Sequence, residues 1–368
     1  MACARVCAKN RLQADSGEGS GALTAGTSKG KCMLALVIEK PGIARLDDVP
    51  QPQPKDGEVL VRVVQAGICG SDIEVLNGTR PPDFVRYPVI PGHEWIGEVA
   101  ATGSGVNDLM LGTRVVGENF RPCFRCARCA EGKTNLCQSE YQEAGFTLPG
   151  AFAEYLCVDR RYLHVLSDSV PATVGALIEP AACIAQGILE LGVTPASTCA
   201  VVGAGTLGIL AIHLLRLSNP SRLLAIDPRS DRLEAVRAIR GDDLEVATPD
   251  SLELDSQFDL VVVTADTPHA AATALRLVRR GGDVLLEGIS GDPIPTISPD
   301  DIVLKHLKVQ GIFGASREAW SWMVAVASKG LMRPEGLVTH ELPLREHDRA
   351  FQLLLDGAPG TLKVQFVM

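Results

Sequence analysis

The chain lacks any apolar run long enough to cross a membrane, and it lacks an excess of basic residues. A membrane-spanning helix needs about 20 consecutive apolar residues, and no uninterrupted apolar run approaches that length. Asp and Glu number 44 against 35 Lys and Arg, which gives a formal net charge of −9. We therefore expect neither a membrane anchor nor a broad nucleic-acid-binding surface.

Two further absences concern the cysteines and the N-terminus. Apart from one dense cluster, the 11 cysteines are scattered without a paired pattern, which favours the reducing cytoplasm. No apolar signal-peptide core precedes the Gly- and Ser-rich residues 15–30. Residues 1–32 are therefore predicted to be a disordered extension. Residues 1–14 are basic and contain no acid, so a weak organelle-targeting interpretation of this segment is the alternative.

Four cysteines within residues 121–138 carry the strongest local signal. Cys123, Cys126, Cys129 and Cys137 follow the spacing Cys-x2-Cys-x2-Cys-x7-Cys. A segment this short cannot build an apolar core of its own, whereas four thiolates can close a tetrahedral structural zinc site. Two disulfides are awkward at adjacent x2 spacings. The sequence therefore predicts a lobe that is ordered by a structural zinc ion.

The distribution of strand and helix patterns predicts two domains in this chain of 368 residues. β-rich runs separated by Gly and Pro fill much of residues 33–184. Over residues 185–316 strands alternate with helical patterns, which is typical of an α/β domain with a doubly wound parallel sheet. Residues 317–368 return to mixed structure and are predicted to rejoin the first domain.

The predicted strands and helices have the following limits. Strands are expected at 58–68, 95–103, 113–118, 151–158, 198–205, 222–228, 258–265, 281–289 and 307–314, and in the last eight residues. Helices are expected at 206–218, 230–239 and 269–280, the second with Ser230 or Asp231 near its N-cap.

The parallel-sheet region contains the pattern Gly203-x-Gly205-x-x-Gly208 between a predicted strand and a predicted helix. In this context the first glycine permits a tight turn, and the second lets the backbone approach a pyrophosphate. The third lets the helix pack close to the strand, so that the helix N-terminus faces the phosphates. The predicted cofactor-binding residues in this part of the chain are Gly203, Gly205, Thr206, Leu207, Gly208, Asp227 and Arg232.

Asp227 determines the expected choice between NAD and NADP. It follows the second strand of the region, where a carboxylate can accept hydrogen bonds from an adenosine ribose. The same charge repels a 2′-phosphate, so NAD is favoured over NADP. Arg229 and Arg232 stand close behind Asp227 and weaken that preference.

Another group of residues has the composition of a reactive metal site. Cys69 lies in AGICGSDIE, His93 and Glu94 in PGHEWIGEV, and Glu179 in GALIEPAAC. A catalytic zinc needs roughly three protein ligands and one open position, which Cys69, His93 and a carboxylate could supply. Each residue also has an ordinary interpretation, as a buried thiol, a core imidazole or a helix N-terminal acid. Spacing alone does not decide between the two.

Together these motifs resemble the zinc-dependent medium-chain alcohol dehydrogenases, from Met33 to the C-terminus. The GHE segment, the CGSD loop, the four-cysteine lobe and the turn at Gly203 carry the resemblance. It is closest to the sorbitol dehydrogenase and threonine 3-dehydrogenase branch. The IEP at Glu179 is similar to the polyol enzymes, whereas KHLKVQGIFG, Trp320 and the VTH at 338–340 are similar to the threonine enzymes. The resemblance implies a GroES-like, mostly β catalytic domain and a Rossmann domain.

The resemblance also implies roles for individual residues. Cys69, His93 and Glu179 correspond to ligands of the catalytic zinc, and Glu94 corresponds to an acid that can approach or enter the ligand shell. Ser71 corresponds to the hydroxyl residue that hydrogen-bonds the alcohol and begins a proton relay.

Two further positions complete the implied site. Lys363, in TLKV, corresponds to a basic residue close to the cofactor phosphates. Glu74 stands where many relatives carry a histidine, five residues after the ligand cysteine. Proton release from Ser71 would then pass through the cofactor ribose and water, or through Glu74 itself.

The implied activity is the transfer of a hydride from a secondary alcohol to NAD, which gives a ketone, with one catalytic and one structural zinc ion per chain. A polyol, cyclitol or sugar-like substrate fits the Glu179 motif, whereas a threonine-like amino alcohol fits the C-terminal segment better. The carboxylate of an amino alcohol would need a partner, for which Arg80, Arg86 and Arg317 are candidates unless they are solvated surface charges. Relatives commonly form homodimers or homotetramers. A non-catalytic dinucleotide-binding protein is the remote alternative.

Overall fold

The computed structural model describes residues 31–239, 244–252, 257–289 and 297–368, and only the backbone of Pro268. The predicted extension therefore lies outside the described residues, except for its last two. The strands are β1 (Cys32–Lys40), β2 (Ile43–Pro50), β3 (Glu58–Gly67), β4 (Glu94–Thr102), β5 (Arg114–Gly117), β6 (Tyr155–Asp159), β7 (Leu163–Val165), β8 (Thr198–Val202), β9 (Arg222–Ile226), β10 (Leu244–Ala247), β11 (Phe258–Val263), β12 (Val278–Leu286), β13 (Lys308–Gly311), β14 (Val338–Pro343) and β15 (Lys363–Val367).

The helices are α1 (Gly70–Asn77), α2 (Ala127–Ala130), α3 (Ala172–Gly175), α4 (Ile178–Leu191), α5 (Thr206–Arg216), α6 (Ser230–Arg237), α7 (Pro268–Leu277), α8 (Pro299–Lys305), α9 (Arg317–Ser328) and α10 (His347–Leu355). Single turns of 3₁₀-helix lie at Pro82–Phe84, Thr134–Leu136, Arg160–Tyr162, Pro249–Ser251 and Leu344–Glu346. Among the described residues, no helix combines the length and the apolar character that a membrane crossing requires.

Strands β8 to β13 form a parallel sheet in the order β10-β9-β8-β11-β12-β13. Alternate residues of β8 enter two apolar clusters: Cys199 and Val201 belong to one cluster, and Ala200 and Val202 to the other. Such strands read as continuous apolar runs because both of their faces are covered. The strand order reverses between β8 and β11. In sheets of this type a dinucleotide binds in the crevice at that reversal, outside the carboxyl ends of the strands.

The other large sheet is mostly antiparallel, in the order β14-β15-β3-β4-β5-β7, and β6 also pairs with β3. β15 comes from the last residues of the chain and pairs antiparallel with β3, while β14 pairs parallel with β15. The C-terminal segment thus adds two strands, β14 and β15, to a sheet whose first strand along the chain is β3. A separate hairpin of β1 and β2 is held to this part of the molecule by Ile38, whose backbone bonds in both directions with Val89.

Helix α4 connects the two sheets. Its side chains pack with β8, α5 and α9 in one apolar cluster, which also contains Ile96 of β4. Gly187 of α4 lies directly on β12, because a Cβ atom there would come within 2.4 Å of a Leu285 methyl carbon. The predicted domain boundary between residues 184 and 185 falls inside this continuous helix. The first turn of α4 is therefore held rigidly between the two sheets.

Some predicted elements differ from the observed ones. The helix predicted to continue to residue 280 ends at Leu277, because Val278 is buried in the sheet and pairs with Phe258. The strand predicted from residue 151 begins only at Tyr155, since the Phe152 amide bonds to Pro91 and its carbonyl accepts the amide of Leu36 in β1 rather than pairing with β3. By contrast, Ser230 lies next to the N-cap of α6 as predicted, since the N-cap is Arg229 and the helix begins at Ser230.

One cysteine departs from the prediction that the scattered cysteines are unpaired. Cys32 is disulfide-bonded. The other described cysteines, both those of the cluster and those elsewhere, are free thiols.

Candidate functional site

The four cysteines of the predicted zinc lobe converge. Their sulfur atoms all lie within 4.8 Å of one another. Backbone amides point at these sulfurs: the amide of Cys123 donates to Cys137 Sγ at 3.3 Å, and that of Cys126 to Cys123 Sγ at 3.4 Å. Burial raises the pKa of the Cys137 thiol, but hydrogen bonds from Ser139 and Cys123 outweigh it and lower the pKa to about 6. Four sulfurs with amide donors fit a closed tetrahedral zinc site.

The lobe also contacts the segment that follows β13. The side-chain amide of Asn135 donates to the carbonyl of Phe313 at 3.2 Å. Gly314 lies against Phe120, since a Cβ atom at this glycine would come within 2.2 Å of the Phe120 ring. The lobe thus contacts the segment that follows β13, where the chain leaves the parallel sheet.

Cys69, His93 and Glu94 form a second convergent group. One ligand atom from each lies within 4.8 Å of the others. β3 and β4 bring them together, because these strands are antiparallel neighbours in which Gly67 pairs with Glu94. The end of β3 therefore lies beside the start of β4, and the residues just beyond each end share one edge of the sheet. Only glycine fits at position 67, where a Cβ atom would lie 2.3 Å from Glu94 Oε2.

Asp72 holds the two halves of this site together, and the sequence analysis missed it. It is fully buried in the first turn of α1. Its Oδ2 accepts the amide of Cys69 at 2.9 Å, and its Oδ1 accepts the amide of Gly92 at 3.1 Å. Oδ1 also lies 3.5 Å from His93 Nδ1. The available signal was the capping-box spacing of CGSD, in which the acid returns to the N-cap amide.

His93 has the burial and the neighbours that are typical of a metal ligand. Its Nδ1 atom is buried and makes no hydrogen bond of acceptable geometry within the described part of the chain. Burial lowers the pKa of the imidazole, but the effects of Asp72 and Cys69 together outweigh burial and raise the pKa well above its usual value. A ligating histidine commonly has a carboxylate beside its ring, which fixes its orientation. The donor set of thiol, imidazole and carboxylate fits a zinc site that keeps one position open.

Lys363 lies at this site rather than on the glycine turn where the sequence placed it. Its ammonium forms an ion pair with Glu94 and donates to the carbonyl of Ile68 at 2.8 Å. Burial lowers the pKa of Lys363, but the carboxylate of Glu94, together with Cys69 and Asp72, outweighs burial and raises the pKa. The preceding residue, Leu362, is the one that reaches the turn, through a carbonyl that accepts the Thr206 hydroxyl at 3.2 Å. The contacts of Lys363 are thus with the metal group, and its predicted closeness to the cofactor phosphates stays a prediction.

Glu179 lies beside the metal group without being one of its three members. It occupies the first turn of α4. Burial raises the pKa of its carboxyl to about 7, and the nearby charges of His93 and Glu94 act on it in opposite directions. Of the predicted ligands Cys69, His93, Glu94 and Glu179, the first three have ligand atoms within 4.8 Å of one another, and the ligand role of Glu179 stays a prediction.

Ser71 and Glu74, the predicted proton relay, both lie on α1. Ser71 is half-buried in the first turn, two residues after Cys69. Glu74 is turned toward Arg80, with 3.5 Å between its Oε2 and Arg80 Nη1, and its side chain is 43% exposed. A path through Glu74 would therefore begin from a carboxylate that is already paired.

Arg80 is buried, which corrects its interpretation as a solvated surface charge. Its side chain is 10% exposed, and it donates to the Tyr141 hydroxyl at 3.1 Å. Its guanidinium lies 3.7 Å from the centre of the Phe146 ring, and that ring lies 4.8 Å from His93. The Tyr141 hydroxyl also hydrogen-bonds Glu143, whose pKa burial raises to about 8.

The other two candidate arginines pair with acids near the surface. Arg86 forms an exposed ion pair with Glu140. Arg317 lies 3.0 Å from Glu118 and is half-exposed. All three arginines that might have bound a substrate carboxylate therefore already have acidic neighbours.

A cavity of about 360 Å³ adjoins the Arg80 and Tyr141 network. Aromatic rings form much of its wall, and the lining includes Phe84, Phe120, Tyr141, Gln142 and Phe313. Ring contacts of 4.8 to 6.1 Å join Phe84, Tyr141 and Phe313. The rest of the lining is largely polar and comes from the four-cysteine lobe, including Arg121, Asn135 and Cys137.

The glycine turn has the shape that a pyrophosphate requires. Gly203 adopts a left-handed backbone with φ of 106°, and a Cβ atom at Gly208 would lie 1.8 Å from the carbonyl oxygen of Gly203. At Gly205 the nearest atom to an added Cβ is Arg232 Nη1 at 3.8 Å, so this side of the turn is open. Helix α5 begins here without a side-chain cap. Its free amides fit a phosphate anion.

Asp227 is fixed at the end of β9. Its Oδ2 accepts the amide of Ala204 and its Oδ1 that of Arg229, both at 2.8 Å. Arg232 Nη1 lies 3.5 Å from Oδ2. The carboxylate is thus tied to the glycine turn at the edge where the ribose of a dinucleotide is bound in such folds.

Known proteins with similar sequences and structures agree with this geometry. Residues 55–168 match the family described as alcohol dehydrogenase GroES-like domain, and residues 206–329 match the family described as zinc-binding dehydrogenase. The D-altritol 5-dehydrogenase of Agrobacterium fabrum is 36% identical, over 91% of this chain and 99% of its own. The L-threonine 3-dehydrogenase of Bacillus velezensis is 30% identical, over 90% and 98%.

The fold is shared with solved structures as well. A short chain alcohol dehydrogenase of Escherichia coli CFT073 in complex with NADH superposes with a TM-score of 0.84 at 27% identity, over 92% of this chain and 100% of that one. The predicted α/β fold with a GroES-like and a Rossmann domain is confirmed. The chain is therefore a member of the zinc-dependent medium-chain alcohol dehydrogenase family.

Proposed function

We propose that this dehydrogenase oxidises a secondary alcohol of the polyol, cyclitol or sugar type to a ketone, with NAD as the hydride acceptor. The observation that carries the substrate class is the charge balance around the metal site. Lys363, a buried cation, forms an ion pair with Glu94. Arg80, the other cation with little exposure, lies beside Glu74 and Glu143. A neutral, hydroxyl-rich substrate needs no free cation, whereas the carboxylate of an amino acid does.

We assign the two zinc ions to different tasks. One is held by Cys69, His93 and Glu94, and the other by the four-cysteine lobe. When bound at the first site, zinc supplies a Lewis acid for the alcohol oxygen, and NAD supplies the hydride acceptor. The lobe site has no position for a substrate, since all four of its ligands come from the protein.

The residues of the chain supply orientation and proton transfer. Asp72 fixes the ring of His93 and the loop of Cys69. In this proposal Ser71 Oγ, two residues beyond Cys69, accepts the proton of the substrate hydroxyl and passes its own hydroxyl proton to solvent by way of the cofactor ribose and water. Glu179 is the second group with a suitable position, because burial raises its pKa to about 7 and its carboxyl can therefore exchange a proton near neutral pH.

The remaining features of the proposal concern the cofactor, the assembly and the domains. NAD is favoured over NADP because Asp227 offers a carboxylate where the 2′-phosphate of NADP would lie. A homodimer or homotetramer in the cytoplasm, with a catalytic domain over residues 33–184, a Rossmann domain over 185–316 and a C-terminal segment over 317–368, completes the proposal.

A substrate panel tests the proposed function. Purified protein of known zinc content is assayed for NADH formation with D-altritol, sorbitol, myo-inositol and L-threonine. We expect turnover with at least one of the polyols or the cyclitol, and none with L-threonine. The Cys69→Ser protein, prepared in the same way, controls for a contaminating dehydrogenase. Turnover of L-threonine with the other compounds inert would favour the threonine-type alternative, which has support from the Bacillus velezensis relative.

A further inference from the structure

Glu287 is an acid at the carboxyl end of β12. The strand ends at Leu286, so Glu287 is the first residue beyond it. The side chain is half-buried, and its Oε1 atom is buried without a hydrogen-bond partner among the residues that the structure describes. Buried polar atoms are almost always paired. This oxygen is therefore a group that a bound molecule can satisfy.

The backbone places Glu287 at the crevice of the parallel sheet. The amides of Glu287 and Gly288 both donate to the carbonyl of Val263, the last residue of β11, at 2.9 and 3.2 Å. Gly288 lies on Ala265, since a Cβ atom at this glycine would come within 2.2 Å of the Ala265 carbonyl oxygen. A Cβ atom at Gly203 would come within 2.7 Å of the Ala265 amide nitrogen. The acid and the glycine turn thus share one edge of the sheet.

The order of the strands determines which half of a dinucleotide reaches Glu287. Asp227, at the end of β9, marks the side of the adenosine ribose, and the glycine turn after β8 marks the pyrophosphate. From β8 the sheet continues in the other direction to β11 and β12. A dinucleotide lies across the two halves of such a sheet. Its nicotinamide half therefore extends over the ends of β11 and β12.

Glu287 also lies on the face of the sheet that α4 covers. Leu285 packs on α4, since a Cβ atom at Gly187 would come within 2.4 Å of one of its methyl carbons. Alternate residues of a strand share a face, so Glu287 lies on the same side as Leu285. Only residues 192–197 separate the end of α4 from the start of β8, so the helix begins, with Glu179, at the carboxyl edge of the sheet. Glu287 is thus on the side of the crevice from which the metal group is approached.

The carboxamide of nicotinamide has the chemistry that this carboxyl oxygen requires. The amide nitrogen donates, and a carboxyl oxygen accepts in either protonation state. Burial raises the pKa of the Glu287 carboxyl well above its usual value, and the charge of Glu190 adds to this effect. A protonated carboxyl can also donate to the carboxamide oxygen, so that a hydrogen bond forms with or without ionisation.

We propose that Glu287 binds the nicotinamide carboxamide of the cofactor, with Oε1 as the acceptor of its N–H group, and so orients the ring toward the metal group. This inference rests on the proposed function, because it assumes a nicotinamide cofactor whose ring lies beside Cys69, His93 and Glu94. It makes Glu287 a cofactor-binding residue and gives it no part in proton transfer.

The test compares two cofactors that differ in the carboxamide alone. In 3-acetylpyridine adenine dinucleotide a methyl ketone replaces the amide, which removes the N–H donors. We expect zinc-loaded wild-type protein to bind NADH more tightly than the reduced analogue in calorimetry. Glu287→Met removes the acceptor at similar size, so the ratio of the two Kd values should fall about tenfold, the effect of one hydrogen bond. Glu287→Gln keeps an acceptor oxygen and should retain the ratio.

Glu318→Met is the matched control, since Glu318 is exposed and the chemical change is the same. ADP-ribose, which lacks the nicotinamide, should bind the wild type and every variant equally. If Glu287→Met does not fold, Glu287→Ala replaces it.

An unchanged ratio in the folded variant would overturn the inference. Equal losses for both cofactors and for ADP-ribose would indicate a structural role and overturn it as well. Wild-type protein that binds NADH and the analogue equally would overturn the inference alone. Wild-type protein that binds neither would refute the proposed NAD-dependent function and the inference with it.

Discussion

At the scale of single residues, Asp72 explains how two loops far apart in sequence form one metal site. It accepts backbone amides from both loops and lies beside the ring of His93. No spacing rule connects residue 69 to residue 93. One buried carboxylate at the first turn of α1 makes the connection, and it needs the antiparallel pairing of β3 and β4 to bring the loops within its reach.

Asp72→Asn should lower the affinity for the catalytic zinc by about 10- to 100-fold, because removal of a group that orients a ligating histidine typically has that effect. The amide oxygen can still accept one backbone hydrogen bond, so the fold should persist. Competition with a chromophoric chelator measures the affinity. Asp83→Asn, at an exposed position, is the control. An unaltered zinc affinity would exclude the orienting role.

The pair of Lys363 and Glu94 leads to a prediction about stability. Both side chains are buried, at 3% and 1% exposure. In protein from which the zinc at Cys69, His93 and Glu94 has been removed, Lys363→Met should lower the free energy of unfolding by about 3 to 5 kcal/mol, because it leaves a buried carboxylate uncompensated. The double variant with Glu94→Gln should recover part of this loss. Urea denaturation measures both, with Lys329→Met as an exposed control. A loss as small as that of the control would mean that Glu94 is neutral in the folded protein.

At the scale of secondary structure, the strands and helices of the parallel-sheet domain were predictable. The apolar runs and the glycine pattern that indicate them are both local in the sequence. An apolar run such as Val261–Val263 predicts a buried strand, and the glycine pattern at Gly203 predicts the turn that follows β8. The end of α7 was not predictable, because Val278 pairs with Phe258 and tertiary pairing overrides a helical period.

Side-chain partners at the site were the least predictable part. The sequence predicted that Cys69, His93 and Glu94 belong to one metal site, and their ligand atoms do lie close together. It could not show that the ammonium of Lys363 lies on Glu94, nor that Arg80 is buried over Phe146. These contacts join segments that are distant in the chain, and only the completed sheet brings them together.

Helix α5 carries a histidine that should make the protein sensitive to acid. Burial, assisted by Arg216, lowers the pKa of His213 to about 4. The pKa in an unfolded chain is about 6.5, so folding favours the neutral ring. The stability that follows is fully present above pH 6.5 and is lost as the pH falls toward 4. The full shift corresponds to roughly 3 kcal/mol.

His213→Leu should therefore reduce the fall of the thermal midpoint between pH 7 and pH 5. His269→Leu is the matched control, because His269 is exposed on α7. Thermal scans of the three proteins at both pH values provide the measurement. Equal falls of the thermal midpoint between pH 7 and pH 5 in wild type and His213→Leu would show that the His213 ring does not contribute to the acid sensitivity.

At the scale of the whole molecule, helix α4 and strand β15 determine where the reacting groups meet. α4 packs on the parallel sheet and presents Glu179 to the other sheet, while β15 brings Lys363 back to the start of β4. The cofactor crevice at the end of β8 and the metal group at the end of β3 are therefore parts of one folded unit. The lobe contacts the rest of the molecule through Phe313 and Phe120, and through Tyr162, on whose ring Phe124 stacks.

The position of Asp227 at the crevice predicts the cofactor preference. Asp227→Ser should raise the Kd for NAD and lower that for NADP, which changes their ratio by about tenfold or more, since a like charge opposite the 2′-phosphate is removed. Fluorescence titration with both reduced cofactors measures the ratio. Asp301→Ser, at an exposed site on α8, is the control. An unchanged ratio would remove Asp227 from the choice of cofactor.

The central claim is that the reacting zinc lies at Cys69, His93 and Glu94, apart from the zinc of the cysteine lobe. The most direct test is the zinc content of Cys69→Ser beside that of the wild type, measured on the protein samples that are assayed for turnover. The account predicts two zinc ions per chain in the wild type and one in the variant, with turnover lost and NADH binding retained. A Cys69→Ser protein that keeps two zinc ions and full turnover would contradict it.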